Sequence, residues 1–217
     1  MYDFDLPIGA AKEFGALEPR RGTLLFQSSK RLFDLVVSIL LLPVLATVAL
    51  CLFFINPALN KGPVFYVQPR MGKNCRAFKL IKFRSMTAAP VEMRGANDPL
   101  ELDRITRLGR FIRKTRLDEL PQILNVIAGQ MSLIGPRPDA FHHARMYVRR
   151  IPGYRERHEV LPGISGLAQT TLGYAEGSEA TAAKTRMDLF YIHQSGFRLE
   201  AWIFWRTLVT VFGGHGA

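Results

Sequence analysis

Cysteine and acidic residues are both scarce in this sequence. Two cysteines occur among 217 residues, Cys51 in an apolar stretch and Cys75 in a basic one, without the spacing of a metal site. This argues against a disulfide framework and predicts a reducing compartment. Acidic residues number 18 against 29 lysines and arginines, which gives a net charge of +11. The imbalance favours an anionic partner: nucleic acid, an anionic membrane face or a phosphorylated substrate.

Charge is missing altogether from residues 35–55, which read LVVSILLLPVLATVALCLFFI. As a helix this run would be about 31 Å long, enough to cross a bilayer core of about 30 Å. A buried core helix is the alternative, but Ser38 and Thr47 supply little of the polar edge that such a helix shows. A cleavable signal peptide fits poorly, because the run starts late and is too long. The pattern predicts a membrane segment.

Basic residues flank this segment on both sides, although such flanks normally mark the cytoplasmic side alone. They are Arg20, Arg21, Lys30 and Arg31 before it, and Lys61, Arg70, Lys73, Arg76, Lys79, Lys82 and Arg84 after it. Pro43 lies near the middle, where it removes a backbone hydrogen bond and kinks the helix. A re-entrant helix broken at Pro43 would keep both flanks on one face. A kinked single-pass helix is also allowed, and the residues alone leave both open.

The rest of the chain predicts a mostly α fold with little strand (α+β). Strands are expected at 64–67 and 77–83, around a turn at 70–73, and a polar loop at 87–101. Helices are expected at 104–114, 120–128, 141–150, 180–193 and 199–212. The last of these is amphipathic, carries Trp202, Phe204 and Trp205, and is typical of a membrane interface.

Two carboxylates, Asp118 and Glu119, stand side by side in the stretch LDELPQILNVIAGQMSLIGPRP (117–138). Pro121 fits only the first turn of a helix, which places both acids at its start. Acidic residues at a helix N-terminus have a structural explanation as caps. That explanation covers one acid, but not the polar line that Asp118, Gln122 and Asn125 form at spacings of four and three.

Cations that suit phosphate surround these acids in the sequence. Arg137 stands between two prolines, which stiffen its backbone and present a guanidinium fork to a phosphate. The stretch KLIKFR (79–84) adds Lys82 and Arg84. Carboxylates among such cations are typical of a site for Mg²⁺ and phosphate, because Mg²⁺ is held by one or two carboxylates plus substrate phosphates.

These motifs together resemble the bacterial sugar transferase family, the monotopic phosphoglycosyl transferases. The matching pieces are KRLFDLVVSILLLP (30–43), GPVFYVQPRMG (62–72), FKLIKFRSM (78–86), DRITRLGRFIRKTRLDELPQILNVIAGQMSLIGPRP (103–138) and LPGISGLAQ (161–169). They span most of the chain from residue 30, and their combination is far more specific than any single piece.

The resemblance implies an enzyme that moves a phosphosugar from a UDP-sugar to polyprenol (undecaprenyl) phosphate and releases UMP, an early step in exopolysaccharide or glycoconjugate synthesis. It implies a monotopic protein of the bacterial inner membrane that faces the cytoplasm and contacts the lipids of that leaflet. We therefore expect an N-terminal extension (1–29), a re-entrant hairpin (30–60) broken at Pro43 and a catalytic domain with interfacial helices (61–217).

The resemblance also implies residue roles. Asp118 matches the family's nucleophile and Glu119 its Mg²⁺ ligand. Arg113, Arg137 and Lys82 match its phosphate-binding cations. Among the residues chosen from their own pattern, Arg84, Gln122 and Asn125 are further candidates for binding substrate.

Two departures from the family pattern stand out: Leu42-Pro43 replaces a Ser-Pro break, and TTLGYAEGSEAT (170–181) replaces a Gly-Arg-Asn type turn. A non-catalytic scaffold of a polysaccharide assembly complex and a membrane-tethered nucleic-acid binder are the alternative functions. No nucleic-acid motif is present, so nucleic acid is not expected as a partner. The sequence leaves open the sugar and the oligomeric state, a homo-oligomer included.

Overall fold

The structure is a computed structural model that describes residues 23–60, 62–87, 102–172 and 178–213. Within them the chain is mostly helical with little strand, as predicted. The helices are α1 (Leu24–Leu40), α2 (Leu42–Leu59), α3 (Arg107–Lys114), α4 (Gln122–Ile127), α5 (Phe141–Arg150), α6 (Leu167–Leu172), α7 (Ser178–Gln194) and α8 (Phe197–Phe212). The strands are β1 (Phe65–Met71), β2 (Ala77–Phe83), β3 (Ser132–Ile134) and β4 (Gly163–Ser165).

The apolar segment forms two helices that meet at Leu41. Pro43 lies in the first turn of α2, where a missing N–H leaves no hydrogen bond unmade. The break therefore falls at Leu41, just before the proline, rather than at Pro43 itself. By length and composition α2 is apolar enough to cross a membrane, with a mean hydropathy of 2.1.

Helix α1 begins earlier than the predicted domain boundary at residue 30. The Thr23 hydroxyl caps its first turn by accepting a hydrogen bond from the Phe26 N–H at 3.3 Å. The expected N-terminal extension therefore ends in helix, and its residues 1–22 lie outside the described part of the chain. Most of the loop predicted at 87–101 also lies outside it.

Polar side chains tie α1 to the globular part of the molecule. The guanidinium of Arg31 donates to the carbonyls of Val126 and Ile127 at the end of α4, at 2.8 and 3.2 Å. The buried carboxylate of Asp34 accepts from the N–H of Leu133 at 3.1 Å. Cations at a helix C-terminus are favourable, because they neutralise the unpaired carbonyls there.

Helix α2 packs along the same globular part through one apolar face. Leu45 and Leu52 are buried against Phe83, Ile112 and Ile123, which belong to β2, α3 and α4. At the end of α2 the buried Asn60 donates a side-chain hydrogen bond to the Arg84 carbonyl at 2.7 Å. Many of its other apolar side chains are exposed, including Leu50, Phe53 and Phe54.

Strands β1 and β2 form an antiparallel hairpin that positions the residues after Phe83. β2 has the predicted bounds, whereas β1 runs on through Met71, so the turn lies at 72–76 instead of 70–73. The main chain after β2 then lies against α3. A Cβ on Gly109 would come within 1.9 Å of the Ser85 carbonyl oxygen, so only glycine allows this approach.

The short parallel strands β3 and β4, which the sequence did not predict, hold the GPRP turn. The N–H of Gly135 donates to the Ser165 carbonyl at 2.9 Å, and the N–H of Gly163 donates to the Pro136 carbonyl at 3.0 Å. A Cβ on Gly163 would lie 2.1 Å from the Gly135 nitrogen. The two glycines therefore let the backbones touch, and the turn that carries Arg137 is fixed.

The later helices follow the prediction closely. α5 has the predicted bounds, and α7 and α8 differ from prediction by one or two residues at an end. α8 is amphipathic as expected: it buries Leu199 and Ile203 and exposes Phe197, Trp205 and Val209.

Candidate active site

Asp118 and Glu119 lie in a single 3-10 turn, Leu117–Glu119. This agrees with their predicted place at or just before the helix start, but the α-helix with Gln122 and Asn125 does not extend back to Asp118. The chain reaches this turn from α3 through Arg116, whose backbone is left-handed (φ 57°, ψ 13°). Helix α4 begins only after Pro121, because proline supplies no N–H to continue the preceding turn. Both acids are nearly buried, with 9% and 6% of their surface exposed.

Glu119 is surrounded by cations from three parts of the chain. Arg137 binds both carboxylate oxygens, and its Nη1 lies 3.2 Å from Oε2. Lys82 Nζ is 3.4 Å from Oε1, and Arg116 Nη1 is 4.0 Å from Oε2. Burial alone would raise the pKa of Glu119, but Arg137 and Lys82 together hold it well below its ordinary range. Glu119 is therefore ionised.

Asp118 differs from its neighbour. Its carboxylate makes no hydrogen bond or ion pair with any residue that the structure describes. Burial and the charge of Glu119 raise the pKa of Asp118 above its ordinary value, although Lys82, Arg137 and Arg113 oppose the rise. A buried, unbonded carboxylate is costly to keep ionised, so this side chain is available to a ligand.

Lys82 reaches the acids from β2. Burial lowers the pKa of its ammonium group, and the charge of Glu119 opposes that change. Arg137 reaches them from the GPRP turn, and its Nη1 also lies 3.4 Å from the Ile164 carbonyl and from Gln169 Oε1. The structure thus brings together four of the predicted residues, Asp118, Glu119, Lys82 and Arg137.

A second buried cluster holds the backbone of Arg137. Arg157 donates to the Arg137 carbonyl at 2.8 Å and to Asp139 Oδ2 at 2.6 Å, and it pairs with Asp188 at 2.6 Å. Tyr154 and Lys184 both donate to Asp139 at 2.7 Å. These residues fix the turn from behind while the Arg137 side chain points to Glu119.

The other predicted residues form no hydrogen bond or ion pair with either acid. Arg113 Nη1 lies 3.8 Å from the Met86 sulfur, although its charge still affects Asp118. Arg84 donates through Nε to the Pro63 carbonyl at 3.0 Å, and its guanidinium lies over the Tyr66 ring. Neither of these contacts joins Arg84 to Lys82 or Arg137, so they do not support the prediction that it lies with the other phosphate-binding cations.

Gln122 and Asn125 are both buried on α4. Asn125 accepts from the Ile81 N–H at 3.1 Å and donates to the Lys79 carbonyl at 2.8 Å, so it ties α4 to β2. Its amide also donates to Gln130 at 2.7 Å, which uses both of its hydrogens. The Gln122 Nε2 has no partner among the described residues. Asn125 therefore has a structural role here, whereas Gln122 keeps a free donor.

Sequence reasoning missed three residues of this site: Arg116, Gln169 and Arg157. The i, i+3 spacing of Arg116 and Glu119 was a signal for the first. Gln169 lies 32 positions from Arg137, and nothing in the sequence links the two. Arg157 lies among other charged residues in the sequence, and burial is not expected for a charged side chain unless it is paired.

The acidic pair suits a divalent cation only if a substrate shares it. The described residues contain no group of three or more His, Cys, Asp or Glu side chains that could hold a metal alone. Mg²⁺ commonly takes one or two protein carboxylates and completes its shell with substrate phosphates and water. The unbonded Asp118 fits that donor set, and Glu119 fits it where a cation replaces the contacts of its oxygens to Arg137 or Lys82.

Comparison with known proteins shows that the chain belongs to the bacterial sugar transferase family. A family model described as bacterial sugar transferase matches residues 25–214. A UDP-N-acetylgalactosamine-undecaprenyl-phosphate N-acetylgalactosaminephosphotransferase of Aeromonas hydrophila is 40% identical over 87% of this chain and 44% of its own length. A UDP-glucose:undecaprenyl-phosphate glucose-1-phosphate transferase of Klebsiella pneumoniae is 38% identical over 84% of this chain and 38% of its own length. The exopolysaccharide production protein PSS of Rhizobium leguminosarum bv. phaseoli is 37% identical over 83% and 94%. The chain thus spans less than half of the first two relatives and nearly all of the third.

Proposed function

Because the chain belongs to the bacterial sugar transferase family, we propose that it transfers a phosphosugar from a UDP-sugar to undecaprenyl or another polyprenol phosphate and releases UMP. The printed names of the Aeromonas and Klebsiella relatives support both substrates. The printed name of the Rhizobium relative supports a role in exopolysaccharide synthesis.

The observation that carries this proposal is the difference between the two adjacent acids. Glu119 is held by Arg137 and Lys82, whereas Asp118 has no bonding partner in the described structure. A covalent route on a diphosphate needs a carboxylate free to attack and cations to offset charge on the phosphate oxygens. The site supplies both: the 3-10 turn provides Asp118, and β2 and the GPRP turn provide Lys82 and Arg137.

The proposed chemistry proceeds in two displacements at one phosphorus atom. An Asp118 oxygen forms a bond to the sugar-linked phosphorus, the bond to the UMP oxygen breaks, and an aspartyl phosphosugar remains. An oxygen of the lipid phosphate then bonds to that phosphorus, and the Asp118 carboxylate leaves. Arg137 binds nonbridging oxygens in both steps. Mg²⁺ held by Glu119 would supply a Lewis acid that withdraws charge from the diphosphate.

The raised pKa of Asp118 fits this role. Attack needs the ionised carboxylate, and a carboxylate that is poorly solvated keeps more of its reactivity than one that is fully hydrogen-bonded. Lys82 and Arg137 stabilise the ionised form from a distance without bonding to it. They therefore keep Asp118 available while the substrate is bound.

The re-entrant arrangement is also part of the proposal. The 17 residues of α1 and the 18 of α2 would be about 50 Å long as one straight helix. Yet α1 contacts α4 and β3 through Arg31 and Asp34, while α2 contacts β2 and α3 through Leu45 and Leu52. Contacts from both helices to one globular part favour entry and exit on the same face, with the catalytic part in the cytoplasm.

Lys30 supports the same arrangement in another way. It donates to Glu200 on α8 at 2.7 Å and to the Ile134 carbonyl at 3.0 Å. A basic residue that the sequence presented as a membrane flank is thus a contact to the globular part. The contacts of Lys30 therefore favour a position on the same side of the membrane as the globular part. This argument does not use the general preference of basic residues for the cytoplasm.

A UMP-release assay tests the proposal. Purified protein in detergent or nanodiscs, with Mg²⁺ and undecaprenyl phosphate, should release UMP from at least one member of a panel of UDP-sugars. The Asp118→Asn variant is the matched control and should release none. Absence of UMP release by the unaltered protein across the panel would favour the scaffold function instead.

A further inference from the structure

Arg116 has an unfavourable backbone conformation for its residue type. Its φ of 57° and ψ of 13° lie in the left-handed region, which L-residues with a Cβ rarely adopt. It stands two residues after the end of α3 at Lys114, where glycine or asparagine usually makes this turn. Selection for folding alone would favour one of those residues.

The side chain of Arg116 is also unsatisfied. It is mostly buried, with 18% of its surface exposed. Its Nη1 lies 4.0 Å from Glu119 Oε2, which is too far for a hydrogen bond. Within the part of the chain that the structure describes, its guanidinium donates no hydrogen bond at all. Apart from the weak ion pair with Glu119, its donors therefore remain free to bind a ligand.

Glu119 cannot be the intended partner of this guanidinium. Arg137 already binds both of its oxygens, and Lys82 adds a third contact. The remaining acceptor beside Arg116 would be an anion that enters the site next to Asp118. A guanidinium fork matches two nonbridging oxygens of a phosphate, and such charge-assisted pairs are strong.

We propose that Arg116 is a catalytic residue that binds the nonbridging oxygens of a substrate phosphate beside Asp118. This inference rests on the proposed function, since it assumes phosphorylated substrates. The phosphate is that of the nucleoside diphosphate sugar or that of the lipid, which share this chemistry. The strained turn is retained because it directs the guanidinium into the site.

The test compares Arg116→Asn with the unaltered protein in two measurements. Asparagine tolerates the left-handed turn but removes the cation. Thermal unfolding should show an unchanged midpoint or one raised by about 2–4 °C, as expected when one strained residue is relieved in a chain of this size. The KM for one phosphorylated substrate should rise by about 10- to 100-fold, which corresponds to the loss of a charge-assisted hydrogen bond.

Separate KM values distinguish the two sources of phosphate. A rise for the UDP-sugar alone assigns Arg116 to the diphosphate, and a rise for the polyprenol phosphate alone assigns it to the lipid. An Arg116→Lys variant, which keeps the charge but not the fork, should show a smaller rise. Lys114→Gln, which removes an exposed cation two residues away, should leave both KM values unchanged.

Two results would overturn the inference. Unchanged kinetics in Arg116→Asn would mean that no substrate phosphate meets this guanidinium. A parallel fall in unfolding midpoint and activity would mean that Arg116 is structural. Failure of the proposed function is a separate result, because the unaltered protein itself would then release no UMP.

Discussion

Two buried clusters of charge lie on either side of the GPRP turn, and they differ in how completely they are bonded. In the rear cluster, Asp139 accepts hydrogen bonds from Tyr154, Arg157 and Lys184, and Asp188 pairs with Arg157. In the front cluster, Glu119 is fully paired, but the side chains of Asp118 and Arg116 form no hydrogen bond to described residues.

This difference in bonding distinguishes the cluster that stabilises the fold from the cluster that can take part in the reaction. Lys184 and Arg157 hold the pKa of Asp139 well below its ordinary value against the opposing effect of burial, as expected for a group whose charge is used in folding. Burial raises the pKa of Asp118 instead. A cluster in which every carboxylate is ion-paired stabilises the fold, whereas a cluster that leaves one carboxylate unpaired can still bind a ligand. Arg137 connects the two, since its carbonyl belongs to the rear cluster and its guanidinium to the front one.

After Asp118→Asn, the largest effect on activity is expected from Glu119→Gln. The change removes the charge that Arg137 and Lys82 neutralise, and with it the proposed Mg²⁺ ligand. UMP release should fall by about a thousandfold or more, and added Mg²⁺ should not restore it. Retention of activity with unchanged Mg²⁺ dependence would move the metal site elsewhere in the molecule.

Breaking the rear cluster should affect stability more than chemistry. Arg157→Met leaves Asp139 and Asp188 buried without their shared partner. We expect the free energy of unfolding to fall by about 3–5 kcal/mol, which is typical of a buried ion pair that loses one member. Denaturant or thermal unfolding in detergent measures it, and a loss below about 1 kcal/mol would show that the cluster is not structural.

Tyr154→Phe is the matched control for that variant. It removes one hydrogen bond to Asp139 and leaves the ring against the Arg157 guanidinium. Its cost should be about 1 kcal/mol. UMP release should stay within about threefold of the unaltered protein, a change of less than about 1 kcal/mol in activation free energy.

The smallest expected effect concerns stability. At neutral pH the charges of the two adjacent acids should change the free energy of unfolding in opposite directions. Asp118 has a raised pKa, so its contribution to stability is lost as the pH rises through that pKa, and at neutral pH its charge opposes folding. Glu119 has a lowered pKa, so it stabilises the fold above its ordinary value of 4.5 and loses this effect as the pH falls.

Unfolding midpoints at pH 7 should therefore move in opposite directions. Asp118→Asn should raise the midpoint, and Glu119→Gln should lower it. Both differences should shrink as the pH is lowered, because the carboxylates of the unaltered protein then become neutral. Equal shifts of the same sign in the two variants would contradict the assignment of one free and one paired acid.

The sequence predicted those parts of the molecule that local pattern determines. Helix α5 and strand β2 have the predicted bounds, because each has its own periodicity and turn residues at its ends. The prediction was wrong where tertiary contacts decide. The 3-10 turn that carries Asp118 departs from a helical pattern, and β3 pairs with β4 over three residues only, too few for a visible alternation.

The same distinction holds for the site. The motifs predicted that Asp118, Glu119, Lys82 and Arg137 belong to one site. In the structure these residues are in contact or in close charge interaction. The helical spacing did not reveal that the Asn125 side chain forms its hydrogen bonds with main-chain groups of β2. Nor could composition identify Arg157 as buried, since its partners are distant in sequence.

A trapped intermediate on Asp118 tests the central claim most directly. Enzyme and a UDP-sugar labelled in the sugar or in its attached phosphate, without lipid acceptor, should release UMP and leave label on the peptide that contains Asp118. The Asp118→Asn variant should take up none, because a carboxamide cannot form the acyl phosphate, and initial rates against both substrates should give the parallel lines of ping-pong kinetics. Intersecting lines, with UMP release only when lipid is present and no label on Asp118, would contradict the account and indicate direct attack by the lipid phosphate.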